Sequence, residues 1–242
     1  MTGNEVGIDL GLTDLIITSD GYKFKRISKR LEKTNLSLKR SQRKLARKTI
    51  GSKNYEKKKI ECAKKYAKIT RIRNDYYHNV SNYLVSNYDA IYTEDLNVNG
   101  MMKNRKLARV IQEASWSTLV GMIAYKANWS GKTFHKIDRF VPSSKTCSHC
   151  GHKIEKLSLD VREWDCPQCH THHDRDINAA INIKNFGQQD CYDTIISSDG
   201  TSDVGVKIPM RLMKFVVKNE SSRSNDLVDD GISEAAWSLA KL

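Results

Sequence analysis

Several absences bound this chain before any motif is read. No window of 18 apolar residues occurs in the 242-residue sequence, so no segment has the character of a membrane-spanning helix. The first residues, Met1-Thr2-Gly3-Asn4-Glu5, lack the basic and apolar regions of a secretory signal. Cysteine is sparse: of six, four stand in two C-x-x-C pairs, while Cys62 and Cys191 are isolated. That is the arithmetic of a metal site rather than of a secreted disulfide framework, and the expected compartment is intracellular. Acids are nearly missing from one stretch. Between Tyr22 and His78 there are 21 Lys or Arg against four acids, Glu32, Glu56, Glu61 and Asp75. A solvated helix face mixes signs for i,i+4 pairing, so a one-signed run points to a polyanion, and nucleic acid is the expected partner. From Gly187 onward the balance reverses to six basic and nine acidic residues, so the net charge of +13 is concentrated in one region.

What is present reads as an α/β chain. Val6, Ile8 and Leu10 alternate, Gly11 and Ser19-Asp20-Gly21 turn the chain, and residues 5–27 read as three antiparallel strands. No proline interrupts 28–86, where Leu31, Leu38, Leu45, Ile60, Ala63, Ala67, Ile69, Val80 and Leu84 form a thin apolar stripe. Gly51-Ser52 is the one break, so a helical hairpin is expected, with that stripe as its core. Tyr88–Glu94 reads as a strand, Asn99-Gly100 as a loop, 107–129 as one helix and Lys132–Asp138 as a further strand. Asp174–Phe186 reads as a helix stopped by Gly187, and 187–242 as a largely disordered tail. Three antiparallel strands followed by parallel ones with crossing helices match an RNase H-like architecture. The expected organisation is a nuclease-like domain over 5–142 plus 173–186, with a small module at 143–172.

That module carries the most specific pattern. Cys147-Ser148-His149-Cys150, then fifteen residues, then Cys166-Pro167-Gln168-Cys169 fits the spacing of a zinc ribbon. Each pair makes a turn whose thiolates meet one Zn²⁺, and two turns close a tetrahedral, structural site. His149, His152, His170, His172 and His173 crowd the same region, and any could replace a cysteine, although four thiolates already saturate the metal.

Three acids stand where carboxylates are costly. Asp9 interrupts the apolar strand Val6-Gly7-Ile8-Asp9-Leu10, Glu94 ends the strand Ile91-Tyr92-Thr93, and Asp176 opens the last helix. If the first and fourth strands are neighbours, Asp9 and Glu94 face each other, and the helix N-terminus brings in Asp176. Converging carboxylates repel and demand a divalent cation; Mg²⁺ or Mn²⁺ suits hard oxygen ligands, and two such ions suit phosphodiester hydrolysis. Other acids have simpler readings. Asp174 is an N-cap, Asp14 and Asp20 sit at turns, and Asp95 follows Glu94. Spacing alone does not single out the triplet.

With acids and ribbon both in view, the chain resembles the TnpB (OrfB) family of insertion-sequence-encoded proteins, relatives of the type V CRISPR effectors that share a RuvC-like nuclease domain. The residues that carry the resemblance are Gly7-Ile8-Asp9-Leu10-Gly11, Tyr92-Thr93-Glu94-Asp95-Leu96-Asn97-Val98, Phe140-Val141-Pro142-Ser143-Ser144-Lys145-Thr146-Cys147 and His173-Asp174-Arg175-Asp176-Ile177-Asn178-Ala179-Ala180. They are collinear and span roughly three quarters of the chain. The resemblance implies that Asp9, Glu94 and Asp176 are catalytic carboxylates binding two Mg²⁺ or Mn²⁺ ions, with Cys147, Cys150, Cys166 and Cys169 holding structural zinc. It implies DNA and a guide RNA as partners and a prokaryotic, nucleoid-associated, cytoplasmic location. The basic hairpin would then follow the nucleic acid backbone, with sequence choice left to base pairing. Full members of the family carry a sizeable region before the first acidic motif, whereas Asp9 is nine residues from the start; the expectation is an N-terminally truncated, nuclease half. Two other functions fit the same residues. One is a catalytically silent nucleic-acid-binding accessory or regulatory protein, and the other a transposase performing strand transfer.

Overall fold

The sheet is organised around two strands that are buried on both faces. In the computed structural model, which describes residues 3–158 and 160–199, β1 (Glu5–Asp9) pairs in parallel with β4 (Ala90–Glu94). On the other side of β1 lies the antiparallel β2 (Asp14–Thr18), followed by β3 (Lys23–Lys25); β5 (Thr133–Ile137) runs parallel to β4. The order β3-β2-β1-β4-β5, antiparallel at one edge and parallel at the other, is the RNase H-like sheet. Val6, Ile8, Ile16 and Ile91 are fully buried because helices cover both faces. Each such side chain contributes about 1.5–3 kcal/mol relative to exposure, which fixes the register.

The described residues divide into two compact units, one of 3–26 with 76–199, the other of 27–75. In the first, one face of the sheet packs Val6, Ile8 and Ile91 with Tyr77, Val80 and Leu84 from the end of α2 (Lys53–Asn87) and with Leu119 and Ile123. The opposite face, with Ala90, Tyr92 and Ile137, packs Ile183 of α6 (Arg175–Asp199). The second unit pairs α1 (Ser28–Ala46) with the start of α2, the break falling where Gly51 adopts φ +83°.

Several expectations are corrected. Ile60 is 55% exposed, and Ala63 and Ala67 are exposed too, so the hairpin is not held by the aliphatic stripe alone. Its facing residues are partly polar: Ser41 donates to Glu61 Oε1 (2.8 Å), Lys65 pairs with Glu61 (2.8 Å), and Gln42 donates to the Tyr66 hydroxyl (2.5 Å), while Cys62 is buried. The single helix over 107–129 is two, α4 (Ala108–Ala114) and α5 (Trp116–Trp129), hinged at Ser115 with φ 43°. The apolar residues step by five between Ala114 and Leu119, which in one straight helix would swing the buried face by about 140°. Around Asn99-Gly100 the chain forms a short helix, α3 (Val98–Met101), with Asn97 accepting from the Gly100 amide (2.9 Å).

Gly187 does not stop the last helix, which continues to Asp199. A Cβ at Gly187 would lie 2.3 Å from the Tyr92 ring, so glycine is there for close approach of helix to sheet rather than for a cap. The tail expected to be disordered therefore begins with at least 13 helical residues (187–199), and the rest of that expectation lies outside the described residues. The ribbon's second strand also runs to Asp174, slightly past the expected boundary at 172.

Candidate active site

The alternation of β1 assigns its residues to faces. Val6 and Ile8 point into one core; Glu5, Gly7 and Asp9 point toward α6. A Cβ on Gly7 would fall 2.0 Å from the Ala180 carbonyl oxygen and 2.6 Å from the Lys184 nitrogen, so α6 lies directly against β1. Further along, Gln188 donates to Glu5 Oε2 (2.7 Å), which also accepts from the Tyr92 hydroxyl (3.0 Å). The pairs Gly7 with Ala180 and Lys184, then Glu5 with Gln188, show α6 running antiparallel to β1. Followed the other way, this alignment carries the first turn of α6, with Asp176, to the Asp9 end of the strand.

Glu94 arrives by register. Gly7 pairs with Tyr92 and Ile8 with Thr93, so the next step sets Asp9 beside Glu94, both at the carboxyl ends of parallel strands. The three carboxylates thus come from a strand end, its neighbour's end and a helix N-terminus. Asp9 records the convergence: burial, then the charges of Glu94 and Asp176, push its pKa up to about 7, against the Leu10 amide and Arg175, which favour the anion. Burial also raises Glu94, opposed by a hydrogen bond from the Ser143 hydroxyl. Arg162 lies 3.5 Å from Asp176 Oδ2. The all-oxygen donor set is of the kind a hard divalent cation takes.

Asp174 caps α6 as expected, accepting from the amides of Asp176 (3.0 Å) and Ile177 (3.1 Å), and it pairs with Lys23 (2.7 Å). This leaves Asp176, already inside the helix, without a capping role. Asp20 is bonded by Thr18 and Tyr88 at its turn, and Asp95 by Arg139.

The four cysteines come together. The sulfurs of Cys147, Cys150, Cys166 and Cys169 all lie within 4.8 Å of one another, with Cys147–Cys169 at 3.7 Å and Cys150–Cys166 at 3.6 Å. A disulfide would require about 2.05 Å. A tetrahedron with Zn–S bonds of about 2.3 Å has edges of about 3.8 Å, which these separations match. The Thr171 hydroxyl and amide pull the Cys169 pKa below the ordinary thiol value, while the neighbouring thiols push Cys150 up. Gly151 (φ +78°) and His170 (φ 58°) take the left-handed turns that follow each pair. Among the five histidines, His173 approaches a ligand, its Nε2 3.0 Å from Cys147 Sγ while its ring packs on Trp164. Burial lowers its pKa, and the neutral ring with a proton on Nε2 would donate to the thiolate rather than replace it.

Sequence reasoning missed the joint between ribbon and carboxylates. Asn178 and Asn182, one turn apart on α6 and almost fully buried, hold the segment leading into the first cysteine pair. Asn182 Nδ2 donates to the carbonyls of Ser143 (2.7 Å) and Thr146 (2.6 Å). Asn178 donates to Thr146 (2.8 Å) and accepts from the Ser148 amide (2.9 Å). Ser143 in turn bonds Glu94. The signal available beforehand was a pair of amides at i,i+4 on an otherwise apolar face. Their partners are contributed by a segment 30 to 39 residues away.

An RNase H-like sheet carrying acids at its strand ends and a four-cysteine ribbon defines a nuclease-like class of proteins. Comparison with known proteins agrees. A family model described as "Probable transposase", of the OrfB type of IS605, matches residues 1–105, and one described as "Cas12f1-like, TNB domain" matches 116–183. A protein of Streptomyces pristinaespiralis named "Putative RNA-guided DNA endonuclease" is 43% identical over 178 residues, 74% of this chain and 44% of that protein. InsQ of Escherichia coli K12, named likewise, is 30% identical over 193 residues, covering 74% of this chain and 48% of its own length. The fold is shared with Cas12f1 in a cryo-EM complex with sgRNA and target DNA, at TM-score 0.55 and 18% identity over 76% of this chain and 50% of that one. The chain belongs to the TnpB (OrfB) family. It spans a little under half the length of these curated relatives.

Proposed function

We propose that this chain is the nuclease portion of a transposon-associated, RNA-guided DNA endonuclease, with Asp9, Glu94 and Asp176 as its catalytic carboxylates. The observation that carries this reading is the convergence registered at Asp9, a half-buried acid whose pKa is raised to about 7 by burial, Glu94 and Asp176. The three carboxylates would hold two Mg²⁺ or Mn²⁺ ions, which supply activation of water and charge neutralisation at a scissile phosphate. The protein's own part is to position. β1 and β4 set two carboxylates side by side, α6 delivers the third, and Ser143 orients Glu94. The ribbon, at about 143–172, is a closed structural element in this reading and takes no part in hydrolysis. The nuclease domain is then the sheet with its covering helices, interrupted by the ribbon.

Guide RNA and target DNA are proposed as partners because relatives are named as RNA-guided DNA endonucleases. The basic unit at 27–75 suits backbone contact. Two of its four acids are consumed internally, Glu61 by Lys58 and Lys65, and Glu56 by Lys59 at 3.6 Å, which leaves the run's excess of cations to an outside polyanion.

The test is Mg²⁺- or Mn²⁺-dependent cleavage of single-stranded DNA by wild type, Asp9→Ala and Asp176→Ala. Loss of cleavage in both variants is expected; equal cleavage by all three removes the assignment. Salt-sensitive binding without any metal-dependent product would instead identify a silent accessory protein, and joined DNA products a strand-transfer enzyme.

A further inference from the structure

The buried face of α6 carries an amide that the fold by itself does not require. Asn182 is almost fully buried, as are Ala179, Ala180 and Ile183 of the same helix. A buried amide costs free energy unless its polar atoms are paired, and asparagine is a weak helix former. Asn182 Nδ2 reaches the carbonyls of Ser143 (2.7 Å) and Thr146 (2.6 Å), which uses both of its N–H donors. These carbonyls bracket a single 3₁₀ turn, Ser143–Lys145, so one side chain closes the turn at both ends.

Each end of this turn leads to a different metal-binding group. At its start the Ser143 hydroxyl donates to Glu94 Oε1. Past its end, Cys147 follows Thr146 directly. The ribbon grips this stretch through the Ile154 amide on the Lys145 carbonyl (2.9 Å) and the Cys147 amide on the His152 carbonyl (2.8 Å). Pairing with Ile137 of β5 fixes the backbone of Glu94 but not the torsions of its long side chain. A glutamate that swings among rotamers loses that freedom when it binds a cation, at a cost in affinity. The Ser143 hydroxyl removes the freedom beforehand and leaves Oε2 to face the cation.

We propose that Ser143 and Asn182 are positioning residues for the divalent-cation site: Asn182 pins Ser143 to the entry of the ribbon, and Ser143 holds Glu94 in its cation-binding orientation. The inference rests on the nuclease reading for Glu94 as a cation ligand. The ribbon thereby sets how tightly the carboxylates hold a cation while supplying no ligand to it. Hydrogen bonds that orient a metal-ligating side chain are typically worth about 10–100-fold in metal affinity.

The experiment is Mn²⁺ titration of the full chain, with free Mn²⁺ read from its EPR signal and zinc content from elemental analysis. Ser143→Ala should weaken Mn²⁺ binding by about tenfold or more with zinc retained, while Ser143→Thr, which keeps a hydroxyl, should bind as wild type does. Asn182→Ala places the best helix former in α6 and should weaken binding similarly. Because Asn182 acts through Ser143, the double variant should bind as Ser143→Ala does, whereas independent losses would multiply. If Asn182→Ala loses its zinc, Asn182→Leu, which fills the space left by the amide, replaces it in the cycle. An unchanged Mn²⁺ Kd in Ser143→Ala, or losses that multiply in the double variant, overturns the proposal. A lower Tm with an unchanged Kd overturns it too, since that is the signature of a merely structural bond. Asp9→Ala reports on the nuclease reading separately. A wild type that binds no Mn²⁺, or an Asp9→Ala chain that binds it as wild type does, removes the carboxylate site itself. Binding lost in Asp9→Ala but kept in Ser143→Ala removes the positioning role alone.

Discussion

Replacing Asp9 with asparagine keeps the side chain's size and removes its charge, which reads out the cost of burying that charge, raised further by Glu94 and Asp176. In the unfolded chain Asp9 loses its proton near the ordinary 3.8; in the folded protein it does so at about 7. Between these values the folded state holds a proton that the unfolded state has released, so the wild type loses stability as pH rises through this window and the loss levels off above 7. A span of about three pH units corresponds to a ceiling of about 4 kcal/mol, accumulating at about 1.4 kcal/mol per pH unit. The asparagine variant lacks this slope. In buffer freed of Mg²⁺ and Mn²⁺, with zinc retained, Asp9→Asn should therefore match the wild type near pH 4 and exceed it at pH 7.5. For a chain of this length the ceiling amounts to roughly 8–16 °C in Tm. Added Mn²⁺ should raise the wild type and leave the variant unchanged, since the cation takes the place of the proton. Urea or thermal unfolding from pH 4.5 to 8 is the assay. A variant less stable than wild type at pH 7.5, or a difference that does not change with pH, would refute the claim that Asp9 is held buried beside other carboxylates.

Removal of Cys166, fully buried in the ribbon, should abolish zinc binding. Elemental analysis should return one zinc per wild-type chain and none for Cys166→Ser, with loss of the near-UV signal of Trp164. Gly7→Ala places a Cβ 2.0 Å from the Ala180 carbonyl and should cost about 3 kcal/mol or more, or prevent folding. Gly121→Ala should have the opposite sign, about 1 kcal/mol of stabilisation, because its Cβ meets open space; urea midpoints measure both. Replacing Lys39, Arg40, Arg43 and Lys44 by alanine should flatten the salt dependence of single-strand binding by about 0.7 in log–log slope for each phosphate that is no longer neutralised. An unchanged slope would take α1 out of the interface.

Much of this protein can be read along the chain because the determinants are local. Apolar alternation in Val6–Leu10 and Tyr88–Glu94 specifies strands, and a cysteine pair two residues apart specifies a turn that presents two thiolates. Asp174 was legible as a cap because capping spans only three residues. The acids were legible as anomalies, charges inside apolar strands, but nothing local says which anomalies meet.

What only the tertiary structure decided depends on packing between distant segments. Gly187 looked like a helix stop until Tyr92, from another strand, accounted for it. The hairpin stripe failed at Ile60 because polar pairs among Ser41, Glu61 and Lys65 satisfy each other across two helices, and no periodicity within one helix reveals that. Asn178 and Asn182 acquired a role once the ribbon's entry segment supplied their acceptors. The meeting of Asp9, Glu94 and Asp176 has the same origin. Pairing of β1 with β4 and the antiparallel course of α6 bring together acids 82 to 167 positions apart, and the buried charge that results is a property of that arrangement, absent from any one of the three segments.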